Sequence, residues 1–271
     1  KIVILGAGKS GVGAAILGKK KGYDVFVSEK KEIDVNLKDF LNEQGIQWEA
    51  GKHSIEAMKS ADFIVKSPGI SSHSNIIKKL IHEGKDIISE IEFASRFTSA
   101  ILIGITGTNG KTTTTMLTYK ILKDAGLNVG IAGNIGDSFA FQVAKNDFDY
   151  YVLEISSFQL DDICEFAPHI SVITNITPDH LDRYNYNFDK YIKSKLKILR
   201  NQSEKDFFLF NAEDSVLKKL IKRENLKPYQ IPLGVRKDLE GVSINKDQII
   251  IKHKKKKIMI NSVQFSLSGR H

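Results

Sequence analysis

Ten residues, Gly104-Ile-Thr-Gly-Thr-Asn-Gly-Lys-Thr-Thr113, constrain the fold more than any other stretch of the chain. The apolar run Ala100-Ile-Leu-Ile-Gly104 leads into them and reads as a strand. Thr114–Asp124 follows with helical spacing in Met116, Leu117, Tyr119, Ile121 and Leu122. A strand, a glycine-rich turn carrying Lys then Thr, and a helix make a phosphate cradle. Backbone N–H groups and the helix N-terminus face the anion, Lys111 reaches the terminal phosphates, and the Thr112 hydroxyl can ligate Mg²⁺. The candidate nucleotide-binding residues are Gly107, Thr108, Asn109, Gly110, Lys111, Thr112 and Thr113. The strict pattern G-x-x-x-x-G-K-[ST] calls for glycine at 105, where this chain has Ile105. Its glycines fall at Gly104, Gly107 and Gly110, so the loop is a variant.

A second glycine-rich turn lies at the start. Lys1-Ile-Val-Ile-Leu5 is a buried-type strand, Gly6-Ala-Gly-Lys-Ser-Gly11 the turn, and Val12–Lys21 an apolar-rich helix. Asp24-Val-Phe-Val-Ser28 is the next strand and ends at Glu29. Read alone, this β-α-β unit predicts a dinucleotide site with Glu29 on a ribose. The alternation continues with a helix over Leu37–Gln44 and a strand over Ala61–Lys66 that ends in Ser67-Pro-Gly-Ile70. A helix over Ser74–His82, a short strand Ile87–Ser89 and a helix Glu90–Arg96 follow. Residues 1–96 are therefore expected to form a small doubly wound domain, and 97–271 a second α/β domain.

In the second part, strands are expected at Asn128–Ile131, Tyr150–Leu153, Ile170–Thr174 and Asp206–Phe210, with helices over Phe188–Arg200 and Asp214–Arg223. After Pro228 the pattern changes to short β segments. Candidate functional residues gather just past strand ends. Glu154 is read as a Mg²⁺ ligand, because a phosphate loop needs a cation partner. His180 shares the loop Pro178-Asp-His-Leu-Asp182 with two acids, which suits a ligand or substrate role. The helix after it carries Lys190, Lys193, Lys195 and Lys197 and reads as a solvated basic face.

Composition narrows the classes. A chain of 271 residues with 41% hydrophobic content reads as one to three soluble globular domains. No apolar run approaches the ~20 residues of a membrane span, and no signal-type segment precedes the first strand. The single Cys164 excludes an internal disulfide, fits a reducing cytoplasm, and is expected to be a small buried residue. The net charge of +8 suits an anionic ligand. Much of the excess lies in His253-Lys-Lys-Lys-Lys257, which reads as a hairpin turn between apolar strands, and no nucleic-acid-binding signature accompanies it.

Several motifs coincide. Gly107-Thr-Asn-Gly-Lys-Thr-Thr113, Ala132-Gly-Asn-Ile-Gly136, Glu154-Ile-Ser-Ser-Phe-Gln-Leu160 and Asn175-Ile-Thr-Pro-Asp-His-Leu-Asp-Arg-Tyr184 resemble the Mur ligase family. The Glu-x-Ser-Ser-Phe-Gln-Leu segment, the opening glycine turn and Ser67-Pro-Gly69 resemble the branch that adds D-glutamate to UDP-N-acetylmuramoyl-L-alanine. The resemblance implies an α/β fold: a Rossmann-like N-terminal domain, a P-loop-type central ATPase domain with a small β extension, and no C-terminal domain within these residues. It implies that the first domain holds UDP rather than NAD. Lys9 and Ser10 would contact the diphosphate, Glu29, Ser67 and Gly69 would lie around the uridine, Asn134 would face the muramoyl part, and Ser156 and His180 the alanyl end. Glu29 stands where relatives commonly carry Asp.

The implied chemistry begins when ATP phosphorylates the alanyl carboxylate to an acyl phosphate. The D-glutamate amine then attacks that carbonyl, and phosphate leaves from a tetrahedral intermediate. Two anions must meet in the first step, so the site needs dense positive charge. Lys111 and two Mg²⁺ ions would supply it, one ion on Thr112 and Glu154, the other on His180. Lys195 would carry a CO₂-derived carbamate. The implied protein is a cytoplasmic monomer without nucleic-acid or membrane partners. Its D-glutamate site would lie in a third domain, so this chain is expected to bind UDP-sugar without completing the ligation. Competing readings are an NAD(P)-linked oxidoreductase, a related ligase of the folylpolyglutamate or L-alanine-adding type, and a nucleotide-responsive regulatory or nucleic-acid-binding module.

Overall fold

A computed structural model describes residues 1–235, 240–245, 248–253 and 256–261. The first part alternates strictly: β1 Ile2–Leu5, α1 Lys9–Lys20, β2 Val25–Ser28, α2 Val35–Glu43, β3 Gln47–Glu49, α3 Ile55–Lys59, β4 Phe63–Lys66, α4 Asn75–His82, β5 Ile87–Ser89 and α5 Glu90–Ser95. Its five strands are parallel in the order β3-β2-β1-β4-β5. β1 is buried along its whole length, as a strand covered on both faces by crossover helices must be. The chain reverses direction across the sheet at β1. A crevice therefore opens at the carboxyl ends of β1 and β4, where α1 begins.

The second part contains β6 Ile101–Thr106, α6 Lys111–Asp124, β7 Val129–Gly133, α7 Phe139–Lys145, β8 Tyr150–Glu154, α8 Ser157–Leu160 and β9 Ile170–Ile173. A 3₁₀ turn over Leu181–Tyr184 precedes α9 Phe188–Leu196. Then come β10 Phe207–Asn211, α10 Ser215–Arg223, β11 Tyr229–Gly234, β12 Gly241–Asn245, β13 Gln248–His253 and β14 Lys256–Asn261. The nine strands run β14-β13-β12-β11-β10-β9-β6-β8-β7, parallel from β7 as far as β12 and antiparallel in the last three. β6 sits between β8 and β9, so the reversal point of this sheet falls under the phosphate loop.

Several elements differ from the sequence expectation. α6 starts at Lys111 rather than Thr114, because Gly110 at φ 79° turns the chain directly into the helix. The helix expected over 188–200 is α-helical only to Leu196 and closes in a 3₁₀ turn over Lys197–Leu199. β3, α3 and α7 were not expected. The first two have three and five residues, too few to show a period. α7 is apolar on most sides (Phe139, Ala140, Val143 and Ala144 are buried), and its start signal is Ser138, whose hydroxyl accepts from Phe141 N–H. The basic run between β13 and β14 does pair as an antiparallel hairpin, although its turn, residues 254–255, lies outside the described residues, as does the tail from 262.

The two sheets share a core. One continuous apolar cluster contains Ile2, Ile4 and Leu17 of the first part and Leu102, Phe139, Tyr151 and Phe208 of the second. α1 lies against α7, and a Cβ on Gly13 would overlap the Ser138 hydroxyl, so glycine is what allows this approach. Lys66 is buried and bonds Asp162 at 2.8 Å across the junction. Glu92 on α5 accepts from the N–H groups of Cys164, Glu165 and Phe166 at 2.8–3.0 Å and from Arg96. Cys164 is exposed, contrary to expectation. Its backbone is what the fold holds, and its side chain is left outside.

Candidate active site

The phosphate loop spans the gap from β6 to α6, and its shape follows from its neighbours. Gly107 sits at φ 146°, and an added Cβ would overlap Thr174 Oγ1. The strand β9 ends beside it and holds it in place. Thr108 N–H donates to the Asn175 carbonyl (2.9 Å), Asn109 N–H to Asn175 Oδ1 (2.9 Å), and Thr174 Oγ1 to the Asn109 carbonyl (2.7 Å). The Thr108 hydroxyl is tied to the Thr177 carbonyl and to Tyr191 on α9. The loop is thus set before any ligand arrives.

Charge converges on it. Lys111 opens α6 and donates to the Thr108 carbonyl at 2.8 Å, a bond that an arriving phosphate oxygen can replace. Thr112 Oγ1 donates to Glu154 Oε2 at 2.7 Å, and Asn134 Nδ2 donates to Glu154 Oε1 at 2.8 Å. Glu154 is 2% exposed at the tip of β8. A hydroxyl and a buried carboxylate side by side next to a phosphate cradle are hard oxygen donors of the kind that suits Mg²⁺. The residues present therefore fit that ion. His180 makes no bond to this pair: it is exposed at φ 47°, its ring packs on Phe158 at 5.6 Å, and Nε2 lies 3.6 Å from Asp179. Among the described residues no three His, Cys, Asp or Glu side chains form a metal-binding group.

Lys195 departs from the sequence reading of a solvated lysine. It is 2% exposed, donates to the Gly107 carbonyl at 2.6 Å, and lies over the Tyr191 ring at 4.7 Å. Burial first, then the nearby Lys111 charge, pull its pKa down to about 7, against the weaker pull of Asp179. Ser156 serves α8 as its N-cap, in a capping box with Gln159.

The first glycine turn lines a separate cleft of about 1070 Å³. Lys9, Ser10, Glu29, Ser67 and Gly69 all border it, so five of the eight candidate UDP-sugar residues meet in one place. Asn134 and Ser156 belong to the second part, near Glu154. α1 begins at Lys9 with no side-chain cap on its first N–H groups, which leaves them open to an anion. Glu29 accepts from Ala7 N–H (2.8 Å) and Lys31 N–H (3.0 Å). Burial raises its pKa, but these N–H groups and the His53 charge outweigh burial and leave it below the usual value.

Sequence reasoning missed the remaining cations of this cleft. Lys30 and Lys31 were legible as a basic pair directly after the Glu29 strand tip. Lys52 and His53 come from the loop after β3, which was itself unrecognised. Asn175 and Tyr191 hold the phosphate loop through contacts that no local pattern announces.

Fold and site together define a P-loop-type nucleotide-binding α/β protein with a second, Rossmann-like ligand cleft. The family described as Mur ligase middle domain matches residues 105–271, and the one described as MurD N-terminal domain matches 1–76. The chain belongs to the Mur ligase family. It is 45% identical over 272 residues to the UDP-N-acetylmuramoylalanine–D-glutamate ligase of Christiangramia forsetii and 46% identical over 271 residues to that of Bacteroides fragilis. Each match takes in 100% of this chain and 61% of the relative, so the chain spans about three fifths of the length of these relatives. Among solved structures, the UDP-N-acetylmuramate:L-alanyl-gamma-D-glutamyl-meso-diaminopimelate ligase from Neisseria meningitides shares the fold. Its TM-score is 0.64 at 20% identity, covering 99% of this chain and 88% of that one. The UDP-N-acetylmuramate-alanine ligase of Thermotoga maritima gives 0.53 at 20%, covering 98% and 61%.

Proposed function

We propose that this chain is the substrate- and nucleotide-holding part of an ATP-dependent ligase that joins D-glutamate to UDP-N-acetylmuramoyl-L-alanine, in the cytoplasm and as a monomer. The observation that carries this reading is the Thr112–Glu154 pair at 2.7 Å beside the phosphate loop, in a chain that also presents the wide cleft at the first glycine turn. The names of its relatives support the substrate assignment.

In this reading residues 1–96 bind the UDP-sugar. Backbone N–H groups at Lys9 and Ser10 take the diphosphate, and Glu29, Ser67 and Gly69 border the uridine. Asn134 faces the muramoyl group, and Ser156 and His180 lie toward the alanyl carboxylate. Residues 97–271 hold ATP through Gly107–Thr113. Lys111 leaves the Thr108 carbonyl to meet the terminal phosphate and offsets the charge of two approaching anions. Thr112 and Glu154 would hold one Mg²⁺, which neutralises phosphate charge when bound, and His180 would contribute to a second. Lys195, part-neutral near pH 7, has the free amine that carbamate formation with CO₂ requires. D-Glutamate is proposed to bind outside these 271 residues.

Calorimetric titration with UDP-N-acetylmuramoyl-L-alanine, with NADH in a parallel cell, tests this. Binding of the UDP-sugar alone, weakened about tenfold or more by Ser10→Ala or Asn134→Ala, is expected. Binding of NADH alone would overturn the substrate assignment, and D-glutamate-dependent turnover by this chain would overturn the placement of the D-glutamate site.

A further inference from the structure

A second cavity, of about 290 Å³, lies where the loop after β4 meets α8 and α9, and none of the roles above uses it. It shares only Ser71 with the larger cleft, and no phosphate-loop residue lines it. Its charge is lopsided. Five cationic side chains (Lys66, Arg183, Lys190, Lys193 and Lys197) stand against the carboxylates of Asp161 and Asp162.

Both carboxylates already have partners. Lys66 and the Ser72 hydroxyl hold Asp162, and Lys197 and the Tyr184 hydroxyl hold Asp161. Lys66 is fixed there, 2% exposed, with a second bond to the Ile70 carbonyl at 2.7 Å. The excess cations are another matter. The Lys190 and Lys193 ammonium groups make no hydrogen bond or ion pair among the described residues, although both line the cavity from one face of α9. Arg183 lies over the Phe158 ring at 4.4 Å and donates once from each terminal nitrogen, to the Gly69 and Pro68 carbonyls. A guanidinium has five donors, so three remain. Like charges gathered around one cavity repel unless an anion lies between them.

We infer that this cavity binds a small phosphate-bearing anion. The excess of three positive charges matches a doubly charged tetrahedral oxyanion better than a single carboxylate, and the Ser71 hydroxyl, which accepts from His73 N–H and keeps its own proton, adds a donor to the lining. The position gives such an anion leverage. α9 carries Lys190 and Lys193 and also Lys195. Arg183 follows His180 in a loop where His180, Asn185 and Tyr186 have left-handed backbone, the only non-glycine residues to do so among those described. An anion in the cavity joins the loop after β4 to both of these elements at once, and so orders the His180 loop against the first sheet.

The test is a titration of the Lys111→Ala chain, in which the phosphate loop is weakened, with inorganic phosphate at constant ionic strength, followed by backbone amide shifts of Ser72, Arg183 and Lys193. A saturating shift at these three amides is expected, weakened at least tenfold when Lys190→Ala and Lys193→Ala are added. Both lysines are exposed, so the fold survives their loss, and an unchanged amide spectrum elsewhere verifies it. No saturable shift at these amides, or one that the added substitutions leave unaltered, would overturn the inference. Glycerol phosphate in a parallel titration separates the sources: tighter binding than inorganic phosphate assigns a phosphorylated metabolite, and equal or weaker binding assigns the free ion.

Discussion

At the scale of single residues, two positions carry sharp expectations. Gly107→Ala puts a methyl group onto Thr174 Oγ1 in a backbone region that other residues avoid. It should cost roughly 1–3 kcal/mol of stability and abolish nucleotide binding, read by denaturant unfolding and by ADP titration. Lys195 gives a pH signature. Its folded pKa of about 7 lies below the ordinary lysine value of 10.5, so the unfolded chain holds this proton more tightly. The penalty is fully present below about pH 7 and is relieved as pH rises toward 10.5. Stability in carbonate-free buffer should therefore climb across that window, and Lys195→Met should flatten the climb by an amount on the order of a few kcal/mol. A flat wild-type profile would refute this. The burial of Lys195 could not be read from composition or spacing, because its neighbours Lys193 and Lys197 look identical in sequence and only the packing of Tyr191 and the Gly107 carbonyl separates them. Gly107, Lys111 and Thr112 were legible because a phosphate loop is a local device, built from adjacent residues.

At the scale of elements, α5 is the joint between the two sheets. Its Glu92 gathers three backbone N–H groups from the Cys164–Phe166 loop. Glu92→Ala strands all three, the Phe166 N–H in a buried place and the other two in part-buried ones, and should cost about 3 kcal/mol, whereas Glu92→Gln keeps an acceptor and should cost less. Equal losses in the two variants, measured by urea unfolding, would mean that the loop finds other partners. The long strands and helices of this fold were visible as apolar runs and 3.6-residue periods. α7 was not, since a helix buried on most sides has no polar stripe, and β3 was not, since three residues define no alternation. The loops that depend on them, including Lys52 and His53 in the larger cleft, were invisible for the same reason.

At the scale of the molecule, the shared core implies that the two sheets melt together, and calorimetry should show one transition. Glu90 adds a pH term at the same junction. Burial raises its pKa to about 7, partly offset by the Ala140 N–H it accepts from, and its other oxygen has no partner. A carboxyl group raised in this way contributes most at low pH. That contribution is lost as pH rises from about 4.5 to about 7, and Glu90→Gln should flatten the loss. The approach of α1 to α7 at Gly13 has a further consequence. The same twelve-residue helix opens on the larger cleft at its first turn and rests on the second sheet's helix along its flank. The span between the cleft and the phosphate loop is then set by a rigid rod rather than by a hinge. In the proposed reading the protein would act as a gauge: a ligand with a shortened middle would fill the cleft at one end or reach Lys111 at the other, but not both.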